Sequence, residues 1–250
     1  MTALKLLFIF ISLFVIAACC RVTTVCKTDY QPIAVDKQHA ASDTVCDSII
    51  RPYAGKLNSY MNLVIGYSDT LMSTGKPEGI LGNFISDLLL SEANRTGTEK
   101  NDLALFNNGG LRVPINKGVV TIADIFKLMP FENEVVIIKM KGSLVKDMLD
   151  FIAKSGGQPV SGLRFGIKDN KAVHILIGGE QLDTNKLYRV VTSDYLARGG
   201  DKMVFFLKLT DMYLTGLKVR DAIIDYISNK NKAGEKITGR TDGRIYKINP

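Results

Sequence analysis

The stretch Phe106-Asn107-Asn108-Gly109-Gly110-Leu111-Arg112 organises the chain, and the apolar run at residues 103–106 that leads into it is typical of a buried strand. Its glycines can adopt positive φ and let a ligand approach the backbone closely. Its asparagine amides can bind a flat polar group, and Arg112 offers a fork of donors suited to a phosphate or a carboxylate. Asn-Gly is also the strongest short signal for a hairpin turn. These residues alone therefore leave a turn and a ligand-binding loop both open.

The surrounding sequence predicts an α+β fold. The chain has 250 residues, of which 46% are hydrophobic, enough for one domain with a sizeable core. Apolar residues recur at helical spacing in some segments and at strand spacing in others, without regular βαβ alternation. We therefore expect a layered domain with a mixed β-sheet and packed helices. Helices are predicted at residues 43–60, 84–94, 122–129, 142–153 and 219–229, and strands at residues 30–35, 62–68, 103–106, 135–140, 162–167, 172–177, 187–192 and 240–248.

The N-terminal residues have the pattern of an export signal. A short cationic start is followed by an apolar run at residues 6–18, which is too short to span a bilayer comfortably. Ile16-Ala17-Ala18-Cys19 resembles the lipobox of bacterial lipoproteins, which predicts a signal peptide at 1–18 and lipid attachment at Cys19. Plain secretory cleavage near Ala18 is the alternative. The prediction puts the mature protein on a membrane of the bacterial cell envelope, periplasmic or surface-exposed, with residues 19–42 as a tether and 43–250 as the domain.

The remaining cysteines and the charges point to no metal, redox or nucleic-acid chemistry. Cys20, Cys26 and Cys46 allow one disulfide and one thiol, and no C-x-x-C motif occurs. The net charge is +7, but the lysines are scattered. Their clearest group, at residues 230–236, is more typical of a solvated surface than of a nucleic-acid interface. A mild basic bias also suits small anionic ligands.

Three more polar segments adjoin predicted helices and strands, where ligand sites tend to lie. With the Asn107 stretch they resemble, in order and spacing, the C-terminal, substrate-binding domain of the 5'-nucleotidase family. The resemblance covers roughly residues 44–248. The residues that carry it are Gly82-Asn83, Asn107-x-Gly109-Gly110-Leu111-Arg112, Pro130-Phe131-x-Asn133 and Tyr195-Leu196-Ala197-x-Gly199-Gly200-Asp201.

The resemblance implies that two aromatic rings, Phe131 and Tyr195, sandwich a nucleobase. Flat rings grip any base by stacking, which contributes about 1–3 kcal/mol per base. The alternative for Phe131 is a core position after a helix. The full set of substrate-binding residues implied by the resemblance is Asn107, Gly109, Gly110, Arg112, Phe131, Asn133, Tyr195, Gly199 and Asp201.

The polar members of this set have implied roles of their own. Asn107 and Asn133 would meet the base edge or nearby polar atoms, and turn formation is the alternative for both. Arg112 would contact the phosphate or ribose end, or else form a surface ion pair. Asp201 suits the ribose hydroxyls because a carboxylate can accept from both, and a turn residue after Gly-Gly is its alternative.

The chain departs from the family pattern in two places. The segment before Gly82-Asn83, which usually carries a phosphate-binding arginine, offers only Lys76, a point charge without a fork. The family also hydrolyses phosphate esters at a two-metal centre of Asp, His and Asn ligands. The only histidines here are His39, in the tether, and His174, in a strand pattern that favours a structural role. We therefore predict no catalytic or metal-binding residues in this chain.

Together these features predict the nucleotide- or nucleoside-recognition half of a 5'-nucleotidase-type phosphoester hydrolase. A separate metallophosphoesterase chain would supply the divalent metals and the catalytic groups. The alternative is a non-catalytic, nucleoside- or nucleotide-binding lipoprotein. A degenerate scaffold that has lost binding is a third possibility. Because stacking tolerates every base, the sequence does not fix the base.

Overall fold

The computed structural model of the chain describes Pro32, residues 43–209 and residues 211–248. The leader, Cys19, His39 and, apart from Pro32, the strand predicted at residues 30–35 lie outside the described residues. The chain divides into two compact units, Met1–Ile50 and Arg51–Pro250. Of the first unit the structure describes Pro32 and residues 43–50, which include the start of helix α1.

The predicted α+β class is confirmed by the mixture of helices and strands. No helix among the described residues is long and apolar enough to cross a membrane. The helices are α1 (Thr44–Met61), α2 (Ile80–Thr96), α3 (Ile122–Leu128), α4 (Gly142–Lys154), α5 (Asp194–Ala197) and α6 (Val219–Lys232). The strands are β1 (Val64–Ser68), β2 (Leu103–Leu105), β3 (Gly118–Thr121), β4 (Glu134–Lys141), β5 (Val160–Ser161), β6 (Leu163–Lys168), β7 (Lys171–Ile177), β8 (Glu180–Gln181), β9 (Leu187–Ser193), β10 (Met212–Lys218) and β11 (Ile245–Lys247).

A five-stranded mixed sheet, in the order β10-β4-β9-β2-β5, forms the middle layer. Both faces of its inner strands β4, β9 and β2 are buried, and alternate residues of these strands enter different cores because side chains point to opposite faces. Val135 and Ile137 of β4 join the core formed with α2, α3 and α6. Val136 and Ile138 join the core formed with α4 and with the second sheet, whose order is β11-β6-β7-β8. The third sheet has two strands, β1 and β3.

The topology of the middle sheet brings three loops together at one end of its strands. Strand β9 runs parallel to β2, pairing Val191 with Ala104, and antiparallel to β4, pairing Ser193 with Val135. The carboxyl ends of β2 and β9 and the amino end of β4 therefore lie at the same end of the sheet. The loops that carry Asn107, Tyr195 and Asn133 all leave or enter the sheet at this end.

The segment that carries Gly82 and Asn83 belongs to a helix, although the helix was predicted to begin only at residue 84. Helix α2 begins at Ile80, so Gly82 and Asn83 lie in its first turn and not in a loop before it. Gly-Asn resembles a loop signal, but Leu81 is completely buried and extends the apolar face of the helix toward its start. Asn83 is buried as well, and its Nδ2 donates to the carbonyl of Arg240 at 3.0 Å. The amide of Asn83 therefore has a structural bond.

Two strands at the chain's C-terminal end differ from prediction. The strand predicted at residues 240–248 shortens to β11, and β10 was not predicted. Met212, Tyr213 and Leu214 of β10 are all exposed, so the strand lacks the alternation of buried and exposed positions that identifies a half-buried strand. Strand β10 is held by its pairing with β4 at the edge of the sheet.

Candidate functional site

The Asn107 stretch is a tight turn that also aims side chains at a cavity. It forms a single 3-10 turn, Asn108–Gly110, in which the amide of Gly110 donates to the carbonyl of Asn107 at 3.2 Å. A Cβ at Gly110 would lie 2.9 Å from Oδ1 of Asn107, so a side chain there would push this amide out of its position. Gln158, which the sequence patterns did not single out, accepts from the amide of Asn108 at 2.9 Å. The stretch can therefore be a turn and a ligand-binding loop at the same time.

The loop after β9 presents a tyrosine and a carboxylate side by side. Ser193 caps the short helix α5 by accepting from the amide of Leu196 at 3.3 Å. Gly199 (φ 87°) and Asp201 (φ 50°) then take left-handed conformations that turn the chain back. Asp is one of the few residues that tolerates this region. The hydroxyl of Tyr195 donates to Oδ1 of Asp201 at 2.9 Å.

Asp201 connects the loops that follow β2 and β9. Its Oδ2 accepts from Nδ2 of Asn107 at 2.6 Å, while its Oδ1 accepts from Tyr195. Hydrogen bonds to an ionised carboxylate are about twice as strong as neutral ones. The carboxylate therefore fixes the positions of an amide and an aromatic ring that come from different parts of the chain.

These loops and the segment before β4 enclose a cavity of about 280 Å³. Both aromatic rings at the cavity remain well exposed, with 40% of Phe131 and 45% of Tyr195 accessible to solvent. Eight of the nine residues that the sequence analysis assigned to substrate binding line it: Asn107, Gly109, Gly110, Arg112, Phe131, Asn133, Tyr195 and Asp201. Open apolar faces beside a few convergent polar groups are the general features of a small-molecule site.

The ninth residue and the suggested phosphate contact lie elsewhere. Gly199 does not line the cavity, and its left-handed backbone turns the chain between Tyr195 and Asp201. Lys76 does not line it either, because its ammonium group donates to the carbonyl of Ser155 just after α4. Arg112 is thus the only cation among the described residues that line the cavity. Its Nη1 donates weakly to the carbonyl of Gly109 at 3.3 Å, and its side chain is exposed.

The described residues contain no cluster of three or more His, Cys, Asp or Glu side chains that could hold a metal ion. His174 is exposed on β7 and does not line the cavity. The side chains that line the cavity offer two aromatic rings, two amides, a carboxylate and a guanidinium.

Proteins named for nucleotide chemistry have similar sequences. The sequence pattern of the family described as "5'-nucleotidase, C-terminal domain" matches residues 64–208, which is more than half of the chain. A 5'-nucleotidase of Vibrio cholerae is 30% identical over 74% of this chain and 34% of its own length. The trifunctional nucleotide phosphoesterase protein YfkN of Bacillus subtilis is 24% identical over 89% of this chain and 16% of its own length. The chain thus spans about a third or less of these relatives.

Solved structures agree on the fold. A 5'-nucleotidase precursor from Thermus thermophilus superposes with a TM-score of 0.70 and 25% identity, covering 85% of this chain and 45% of that one. An NAD nucleotidase from Haemophilus influenzae superposes with a TM-score of 0.64 and 23% identity, covering 83% of this chain and 42% of that one.

Proposed function

Because the chain belongs to the family of 5'-nucleotidase C-terminal domains, we propose that it is the nucleotide- or nucleoside-recognition half of a 5'-nucleotidase-type phosphoester hydrolase. The observation that carries the proposal is the cavity in which Phe131 and Tyr195 keep open ring faces beside Asp201. An aromatic ring that lines a cavity offers a stacking surface to a flat ligand, which contributes about 1–3 kcal/mol per base. A nucleobase is such a ligand, and a ribose supplies the hydroxyls that a carboxylate accepts.

In this proposal the base stacks against Phe131 and Tyr195, and the ribose hydroxyls donate to Asp201. The oxygens of Asp201 already accept from Tyr195 and Asn107. Each carboxylate oxygen has a second lone pair, so the ligand can be added without breaking these bonds. The loops are therefore preorganised, which reduces the entropy lost on binding.

The remaining polar groups contact the two ends of the ligand. The amides of Asn107 and Asn133 meet the base edge or polar atoms beside it. Arg112 faces the phosphate or ribose end, where its weak bond to the carbonyl of Gly109 leaves most of its donors free. Because Arg112 is the only cation among the described residues that line the cavity, we expect most of the affinity to come from the nucleoside and a small part from the phosphate.

We also propose that the hydrolytic step takes place on a separate metallophosphoesterase chain. Two-metal centres supply the attacking hydroxide and stabilise both oxygens of the displacement. This chain then binds and orients the nucleoside so that the phosphate reaches those metals. Purified protein mixed with AMP and a divalent metal should release no phosphate, and turnover above a metal-only blank would refute this part of the proposal.

A nucleoside-binding lipoprotein without a catalytic partner is the second candidate. It is favoured by the position of Lys76, whose ammonium group is bound to Ser155 and so is not available to a phosphate at the cavity. Recovery of a metallophosphoesterase with the purified chain, under conditions that preserve complexes, would exclude this candidate. Recovery of the chain alone from cells that hydrolyse AMP at the same rate with and without its gene would favour it.

We propose that the protein is anchored to a membrane of the cell envelope through lipid on Cys19. The support is the leader and lipobox pattern at residues 1–19. A Cys19→Ser variant should move from the membrane pellet to the supernatant, because it keeps the export signal and loses the acceptor for the lipid. An equal distribution of the variant and the wild type would contradict lipid attachment.

The recognition proposal is tested by titrating the protein with the two halves of AMP. Adenosine and AMP should bind with similar affinity, and ribose 5-phosphate should bind far more weakly because it has no base to stack. The reverse order, with ribose 5-phosphate equal to AMP and adenosine silent, would overturn the proposal.

A further inference from the structure

The segment that carries Phe131 is bound along its whole length by a distant part of the chain. Every residue from 131 to 135 accepts a hydrogen bond from residues 215–220, which we call the latch. The bonds run from Arg220 Nη1 to the carbonyl of Phe131 (3.4 Å), from Lys218 Nζ to that of Glu132 (3.0 Å), from the amide of Val219 to that of Asn133 (2.9 Å), from the amide of Gly216 to Glu134 Oε1 (2.6 Å) and from Thr215 Oγ1 to the carbonyl of Val135 (2.6 Å).

Arg220 is the most deeply buried side-chain donor of the latch, with 7% of its surface exposed. Its guanidinium stacks over the ring of Phe126 at 4.0 Å, pairs with the carboxylate of Glu132 and donates to the carbonyl of Phe131. Phe126 belongs to α3, the helix immediately before the Phe131 segment. One side chain of α6 therefore contacts both that helix and the segment.

The ring of Phe131 is only partly covered by its neighbours. It is 40% exposed, and Glu132 beside it is exposed as well. A short exposed segment of this kind takes its position from its backbone hydrogen bonds. Removing the buried guanidinium would remove the bond at Phe131 and the ion pair at Glu132 together.

We infer that Arg220 is a positioning residue that holds Phe131 where it can stack on a nucleobase. The inference rests on the proposed function for its ligand, but the latch itself is independent of it. A segment that samples several positions binds more weakly in proportion to the fraction of molecules in the competent position. If loss of the latch leaves about one molecule in ten competent, the Kd for adenosine rises about tenfold.

Arg220→Met is the decisive variant. Methionine keeps an unbranched apolar side chain against Phe126 and loses the charge and every donor. Glu132 keeps 70% of its side chain exposed, so the carboxylate left without its partner stays in water and no unpaired buried charge remains. Arg220→Lys keeps the charge and can reach one acceptor of the pair, so it should recover part of the affinity. The lysine variant also keeps the inference testable if the methionine variant does not fold.

Arg189→Met is the matched control. Arg189 is also mostly buried, pairs with the carboxylate of Glu99 and donates to Oδ1 of Asn101 at 3.2 Å. It lies in β9 toward the end that is opposite to Tyr195, away from the cavity. Both variants lose an arginine with comparable bonds, so an effect on binding that is specific to Arg220 comes from its location.

The chain contains no tryptophan, so Phe131→Trp provides a unique fluorophore at the site. In this background Arg220→Met should lower the anisotropy of the introduced indole and raise the Kd for adenosine, read from quenching, about tenfold, while Arg189→Met changes neither. Unchanged anisotropy and Kd in Arg220→Met, or equal losses in Arg189→Met, would overturn the inference. If the wild type itself binds no nucleoside in a calorimeter, the proposed function fails, and the anisotropy comparison still decides whether the latch exists.

Discussion

The substitution Gly200→Ala tests whether the position of the Tyr195 ring determines nucleoside binding. A Cβ at residue 200 would lie 2.5 Å from Cε1, 2.6 Å from Cζ and 2.7 Å from Cδ1 of Tyr195. Gly200 does not have a positive φ, so alanine meets no backbone strain there. The backbone can accept the methyl group, and the ring must move by roughly 1 Å or more to restore ordinary contact, since packed carbon atoms lie about 3.5–4.0 Å apart.

The expected magnitude follows from what the displaced ring loses. One base–aromatic stack contributes about 1–3 kcal/mol, and about 1.4 kcal/mol corresponds to a factor of ten in Kd. The Kd for adenosine should therefore rise about 5- to 150-fold. The ring also carries the hydroxyl that donates to Asp201 at 2.9 Å, so its displacement loosens the connection to the Asn107 loop.

A double-mutant cycle separates this effect from a general loss of stability. In a Tyr195→Ala background the ring is absent, and adding Gly200→Ala should change the Kd very little. Calorimetric titration with adenosine measures all four proteins. If Gly200→Ala weakens binding equally with and without the Tyr195 ring, or leaves the wild-type affinity unchanged, the reasoning is refuted.

Three further substitutions test a helix cap, the carboxylate of the site and an ion pair. Thr121→Ala removes the N-cap of α3, whose hydroxyl accepts from the amide of Asp124 at 3.3 Å and donates to its Oδ2 at 2.7 Å, and should lower the free energy of unfolding by about 1 kcal/mol in a denaturant titration; an unchanged midpoint would contradict the cap. Asp201→Asn should abolish most of the preference for adenosine over 2',3'-dideoxyadenosine in a binding assay, because the ribose hydroxyls lose a charged acceptor worth about 1.5–3 kcal/mol; a preference equal to that of the wild type would rule out the role of Asp201. The hydrogen bond from Arg220 lowers the pKa of Glu132 from its ordinary value of 4.5. A lowered pKa in the folded state means that the stabilisation is present above 4.5 and is lost as the pH falls through the lowered pKa. The wild type should thus have a higher Tm than Glu132→Gln at neutral pH, and the difference should disappear in strong acid; a difference that grows on acidification would contradict the sign.

Local signals predicted much of the fold, and the family resemblance named most of the residues that line the cavity. The strands predicted at residues 162–167 and 172–177 are joined by a short link, in which Asp169 and Asn170 have the positive φ (49° and 60°) of a two-residue hairpin turn. Thr121 directly precedes the helix predicted at residues 122–129, and it caps that helix in a capping box with Asp124. Asn107 follows an apolar strand directly, and such a position at the end of a buried strand puts polar side chains at a sheet edge.

The parts that were missed depend on contacts between distant residues. Residues 215–220 reach the Phe131 segment across 80 to 89 positions, and nothing in their composition identifies them as its partners. Gln158, which holds the Asn108 amide, is 50 positions away. Gly82-Asn83 resembles a loop locally, but the neighbouring Leu81 is buried and the segment forms the start of α2. Sequence periodicity reports which face of an element is buried, and it does not report which other element covers that face.

The most direct test of the whole account is a calorimetric titration of the mature protein with adenosine, run beside the double variant Phe131→Ala, Tyr195→Ala. The wild type should bind adenosine at a single saturable site. The double variant should bind at least about 30-fold more weakly, because two stacks worth at least about 1 kcal/mol each are gone. Equal binding by the two proteins, or no binding by the wild type, would contradict the claim that this cavity recognises a nucleoside.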